Sequence, residues 1–191
     1  MKKHTSEDYV PFGLWVYIMS DCVLFASLFA AYAVLHTETA GGPGGVELFD
    51  RSFVLIETLV LLASSFTCGL AVIFAQKRRV VGVWTALIAT LLLGGTFLAM
   101  ELKEFGSLVA GGHGWGASAF LSSYFTLVGT HGLHIFVGLL WILALLVYMA
   151  VRGVSEKMSR RVLYFSLFWH FLDIVWICIF SFVYLFGSIS L

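Results

Sequence analysis

Charge is scarce in this sequence. Asp, Glu, Lys and Arg make up 12% of 191 residues, with 11 basic and 11 acidic side chains and a formal net charge of zero. No basic patch with interleaved aromatics appears, which argues against a nucleic-acid partner. Cysteine is sparse too: Cys22, Cys68 and Cys178 lie in separate apolar runs and form no CxxC pair. Neither a disulfide framework nor a zinc knuckle is supported, and all three are expected to be buried space-fillers. There is no internal repeat of fixed period, and no polar segment long enough to fold as a separate soluble unit holding a site of its own.

What fills the chain instead is apolar. Hydrophobic residues reach 60% and the mean hydropathy is +0.98, far outside the soluble globular range. A hydrocarbon core of ~30 Å needs about 20 helical residues. Stretches of that length fall at 11–36, 53–76, 80–103, 118–151 and 161–187. The chain is therefore expected to be an all-α, polytopic membrane bundle of five transmembrane helices, one transmembrane domain over 1–191. The fourth stretch is long enough to tilt or to project beyond the membrane. The first follows MKKHTSEDYVPFG and is interrupted by Asp21, so it reads as a retained span and not as a cleaved signal peptide.

The connections carry the topology signal. TETAGGPGGVELFD and GSLVAGGHGWG are rich in glycine, and the first also contains Pro43, so both break helices. Lys2, Lys3, Lys77, Arg78, Arg79, Arg152, Lys157, Arg160 and Arg161 fall on one side of the alternating spans, and only Arg51 and Lys103 on the other. The positive-inside rule then puts the N-terminus in the cytoplasm and the C-terminus in the periplasm. Tyr9, Trp15 and Trp115 lie near the expected interfaces, whereas Trp141 and Trp176 must pack inside.

Ionisable side chains within spans are costly, ~2.5–3.5 kcal/mol for Asp at a helix centre, so each needs an internal partner or a function. Asp21 lies ~15 Å along the first span, near the midplane, with Tyr17 and Phe25 four residues to either side. Two readings are open: a proton-exchanging carboxylate, or a structural acid bonded to Tyr17 or a neighbouring helix. Glu57 and Glu101 reach a similar level in the outer leaflet, where they share a proton or Lys103, or meet water as an interfacial pair. His131 and His134 are three apart on the fourth helix, and His170 and Asp173 repeat that spacing on the fifth. HxxH opposite HxxD can furnish four metal ligands, as in di-iron bundles. The alternative is a polar cluster that hydrogen-bonds the two helices together. Gly129, Gly132 and Gly138 favour packing, because small residues allow close approach of another backbone.

At these residues the chain resembles subunit III of the haem-copper respiratory oxidases. The likeness is carried by FGLWVYIMSDCVLFASLFAAY, ETLVLLASS, FLAMELKEF, YFTLVGTHGLHIFVG and FWHFLDIVWICIFSFVYLFG, which touch all five spans in order. SDCVLF, TAGGPGG, ELKEF and LFWHFLDIVWICIF are worded most like the quinol-oxidising, bo-type ubiquinol oxidase branch. Cytochrome c oxidase relatives typically carry Glu in place of Asp21 and two further helices before it. The resemblance implies a hetero-oligomeric accessory subunit of the bacterial inner membrane, not catalytic by itself. It implies no haem, copper, quinone or metal site in this chain, the haem and copper belonging to the catalytic subunit I. Bound phospholipid and a role for Asp21 in proton uptake are implied as well. His131, His134, His170 and Asp173 then serve helix packing. The rival readings are a self-contained membrane metalloprotein or metal transporter using those four residues, and a cytochrome c oxidase subunit 3.

Overall fold

The computed structural model describes residues 10–42, 44, 48, 50–153 and 155–185. Lys2, Lys3, Tyr9 and Pro43, which entered the sequence argument, lie outside the described residues. The fold is all-helical: α1 (Val10–Leu35), α2 (Arg51–Gln76), α3 (Val80–Ala110), α4 (Ala119–Arg152) and α5 (Glu156–Ile179). After Ile179 the last helix widens into a π-helical segment, Phe180–Leu185. All five are long and apolar enough to cross a membrane.

Local chemistry sets the helix ends. Pro11 sits in the first turn of α1, where its missing N–H breaks no helical bond. The Asp50 carboxylate accepts from the N–H groups of Ser52 and Phe53 at 3.0 and 3.3 Å and starts α2. Ser118 caps α4 through the Leu121 N–H, and Ser155 caps α5 through that of Met158. The α5 start thus falls at Glu156, before the expected 161, and Ser159 anchors it by donating to the Ala75 carbonyl of α2 at 2.7 Å.

The largest departure from the expected spans is at the end of α3. It runs to Ala110, past the expected 103, although Gly106 lowers its helix propensity. Tertiary packing outweighs that cost: Phe105 lies against Phe125 and Tyr124, with centroids 4.8 and 6.0 Å away, and Leu108 is buried. The helix stops at Gly111 and Gly112, the latter at φ +82°. At 31 and 34 residues, α3 and α4 measure ~46 and ~51 Å, so both exceed the hydrocarbon core.

The α2–α3 hairpin turns through Lys77–Arg79 so tightly that a Cβ on Gly82 would strike the Phe74 ring. From it the bundle closes round: α3 packs on α4, α4 on α5, and α5 back on α2, while α1 lies outside against α4 and α5. Consistent with that position, α1 buries only Asp21, Phe25 and Tyr32, which form one stripe. Its other faces are apolar but exposed in the isolated chain, as expected where lipid or a partner replaces water. Cys22 is on such a face and Cys178 is half-buried, so only Cys68 fills interior space as expected; all three are free. The tryptophans divide as expected: Trp15 and Trp115 are exposed, whereas Trp176 is buried and Trp141 packs against Phe165 and Phe168.

The two ends of the bundle differ in chemistry. One, the basic end, carries Lys77, Arg78, Arg79, Arg152, Lys157, Arg160 and Arg161. The other, the glycine-loop end, carries residues 36–42, 44, 48, 50 and 111–118. Its two loops meet where the Phe120 N–H donates to the Glu38 carbonyl at 3.2 Å.

Candidate polar sites within the bundle

Residues three apart on a helix lie about 60° apart around its axis, and in α4 that offset sends the two histidines to different neighbours. His131 is fully buried and faces the bundle centre, where its Nε2–H donates to the Leu172 carbonyl of α5 at 3.2 Å. The ring rests against Trp176 and edge-on to Phe97. His134 turns outward to α1. Its Nδ1–H donates to the Thr130 carbonyl at 2.7 Å, so Nε2 is left to face Asp21 Oδ2 at 3.6 Å. Phe25 covers the same imidazole, its ring 5.3 Å away.

Asp21 is 6% exposed and therefore has few partners to choose from. Tyr17, one turn earlier on the same face, is placed to donate to its carboxyl. The imidazole nitrogen and the carboxyl oxygen stand just beyond direct hydrogen-bond length, at 3.6 Å.

The other two residues of the expected cluster belong to a third contact. His170 Nδ1 lies 2.6 Å from Ser65 Oγ on α2 and 3.4 Å from Asp173 Oδ2 one turn along α5. Asp173 itself is buried beside Cys68. The four side chains thus divide among three interfaces: α4–α5, α4–α1 and α5–α2. Among the described residues, no group of three or more His, Cys, Asp and Glu is arranged to hold a metal ion.

The clasp between helices owes more to tryptophans than the sequence suggested. Trp169 Nε1–H donates to Ser64 Oγ at 3.1 Å, and Trp176 Nε1–H to Thr58 Oγ1 at 3.0 Å, both joining α5 to α2. Gly94 of α3 and Gly138 of α4 leave the space for the Trp169 ring: a Cβ at either would lie 2.7–2.8 Å from its carbons. Gly138 thus admits a side chain, not the neighbouring backbone that was expected, and Gly94, which the sequence reading did not single out, admits the same ring. Gly132 does the same for the Glu101 carboxyl, and Gly129 is in ordinary contact with Phe105.

Glu57 and Glu101 come together as expected, but not as a water-exposed pair. They are 0% and 2% exposed, and among the described residues neither forms an ion pair with Lys103, whose ammonium lies 5.8 Å from the centre of the Phe53 ring. A third carboxylate, Glu104, joins them through electrostatic interaction and accepts from Tyr184 O–H at 3.1 Å. Tyr184 also lies 2.9 Å, hydroxyl to hydroxyl, from Tyr124. Sequence reasoning missed Glu104, Tyr124 and Tyr184. The spacing Glu101–Glu104 in ELKEF was a usable signal, the same three-residue step as in HxxH.

Five apolar helices enclosing isolated polar contacts define a polytopic helical membrane subunit. The family model described as Cytochrome c oxidase subunit III matches residues 2–188, and the chain belongs to that family. It is 52% identical to Cytochrome bo(3) ubiquinol oxidase subunit 3 of Pseudomonas aeruginosa, over 97% of this chain and 89% of that one. Quinol oxidase subunit 3 of Bacillus subtilis is 45% identical over 92% of this chain and 86% of its own length. Cytochrome c oxidase subunit 3 of Bacillus sp. PS3 is 42% identical over 93% and 86%. The chain is thus a multi-pass protein of the bacterial inner membrane and a subunit III of the haem-copper oxidase kind, as the resemblance implied.

Proposed function

We propose that this chain, as one transmembrane domain, is the accessory subunit III of a proton-pumping, bo-type ubiquinol oxidase that reduces dioxygen to water. The observation that carries the quinol assignment is the 52% identity over nearly the whole chain to a subunit named for ubiquinol oxidation. Redox chemistry belongs to a partner, subunit I, which holds haem and copper. This chain's part is to brace that partner in the bilayer. The apolar faces of α1 and α4, exposed in the isolated chain, give it and the surrounding lipid a surface to cover.

Two features extend this role. First, the Asp21–His134 pair with Tyr17 is a proton-exchanging unit near the middle of the bundle, and it supports proton uptake by the partner. Second, a groove of about 430 Å³ runs between α1 and the α4–α5 pair, lined by Leu14, Tyr17, Val137, Trp141, Tyr164 and Phe168. Its apolar walls suit a phospholipid acyl chain. Arg161, stacked 4.1 Å from the Tyr148 ring centre at the basic end, is a cation suited to a phosphate headgroup. With the basic end cytoplasmic, the N-terminus is cytoplasmic, the C-terminus is periplasmic and the lipid lies in the inner leaflet. His131, His134, His170 and Asp173 serve helix packing, His134 also contributing to the proton unit.

The test is to purify the chain with its native partners and measure haem absorbance and oxygen consumption with ubiquinol or reduced cytochrome c as donor. Haem bands with ubiquinol-driven turnover are expected. Turnover with cytochrome c alone would replace the quinol reading by the one the Bacillus sp. PS3 relative favours. A complex without haem would overturn both.

A further inference from the structure

Near the glycine-loop end, acidic side chains descend from the surface into the bundle. Asp50 at the start of α2 is exposed, Glu104 on α3 is half-buried, and Glu101 and Glu57 are buried. Neighbours along this series interact electrostatically: Asp50 with Glu104, Glu104 with both Glu101 and Glu57, and Glu101 with Glu57. Buried polar groups normally have hydrogen-bond partners. Among the described residues, both oxygens of Glu57 and Oε2 of Glu101 have none, although Glu57 is 0% exposed. The surroundings are specific. Gly132 makes room for the Glu101 carboxyl, Tyr184 donates to Glu104, and Tyr124 lies beside Tyr184. Lys103 points to Phe53 instead.

Orphaned carboxylate oxygens are satisfied by a coordinated cation, by a donating water or by a proton of their own. These acids do not form a metal-holding group. Several negative charges clustered in an apolar interior repel one another strongly, and a shared proton relieves that repulsion while itself serving as a donor. We propose that Glu57, Glu101 and Glu104, with Tyr124 and Tyr184, form a hydrated proton-exchange site opening to the glycine-loop end, separate from Asp21. Water supplies the donors that the side chains lack, and Glu104 is the port. A proton leaving Glu101 or Glu57 passes through Glu104 to water, and one taken up from water at Glu104 replaces it. Each exchange is therefore balanced. The inference rests on the cluster's own geometry and stands whichever donor or role for Asp21 proves correct.

Infrared difference spectroscopy of the purified complex in H2O and D2O tests it. A protonated-carboxyl C=O band that shifts down in D2O is expected, with part of its intensity lost in Glu57→Gln and in Glu101→Gln and slower deuteration in Tyr184→Phe. A band unchanged in both glutamine variants overturns the proposal, as does a band that never exchanges with D2O. Loss of ionised-carboxylate stretches alone in the two variants would mean a bound cation and would equally overturn it. If Glu101→Gln fails to assemble, Glu57→Gln and Tyr184→Phe carry the same decision.

Discussion

At the scale of single residues, burial separates the histidines that the sequence grouped together. His131 is fully buried with a hydrogen bond to the α5 backbone, whereas the His170 side chain is 43% exposed. Changing His131 to Leu removes a buried hydrogen bond worth ~0.5–1.5 kcal/mol and the fit of the ring against Trp176 and Phe97. The yield of intact complex after detergent heating should fall more for His131→Leu than for His170→Leu; the reverse order would contradict these assignments. Asp21→Asn keeps the size of the side chain but removes the exchangeable proton. Assembly should persist while steady turnover slows, and lost assembly with normal turnover per surviving complex would make Asp21 purely structural. That polar residues in the spans matter was legible from their cost in an apolar interior. Which neighbour each one faces was not, because a three-residue step specifies an angle on one helix and says nothing of what stands opposite.

Among elements, α5 is held by Trp169 seated on two glycines, and this yields a prediction with a built-in control. Gly94→Ala and Gly138→Ala each force the Trp169 ring to move, an overpacking cost of ~1–3 kcal/mol. At Gly13 and Gly95 an added Cβ would meet nothing within 4 Å, so alanine there should be neutral or better. Thermal stability of the purified complex should separate the two pairs, and equal losses in all four would refute the seating role. Run length and hydropathy located all five helices in the sequence, because the bilayer demands about 20 apolar residues for each. The end of α3 was not legible in this way. GSLVA reads as a loop until Phe105 and Leu108 find Phe125, Tyr124 and the core beside them. Trp169 and Trp176 as α2 donors were hidden for the same reason: Ser64 and Thr58 lie more than 100 residues away in sequence.

For the whole molecule, a closed group of four helices with α1 applied to one side gives a small membrane body with apolar faces on offer to lipid and to a partner. The charge asymmetry of the connections implies that the basic end is cytoplasmic. Single cysteines introduced at 78 and 113 in a chain otherwise free of cysteine should be labelled by an impermeant thiol reagent from opposite sides of inner-membrane vesicles. Labelling from the same side would overturn the topology. The family was legible from GTHGLH and WHFLD together with the order of the other quoted segments. The acidic series at the glycine-loop end was only half legible, since Glu104 gains its meaning from Tyr184 eighty residues on. The central claim is that the chain sustains an oxidase it does not itself catalyse. It is tested most directly by following ubiquinol-driven oxygen consumption over many turnovers, in complexes made with and without this chain. Without it, activity should begin but decay sooner, whereas an undiminished rate and lifetime would contradict the account.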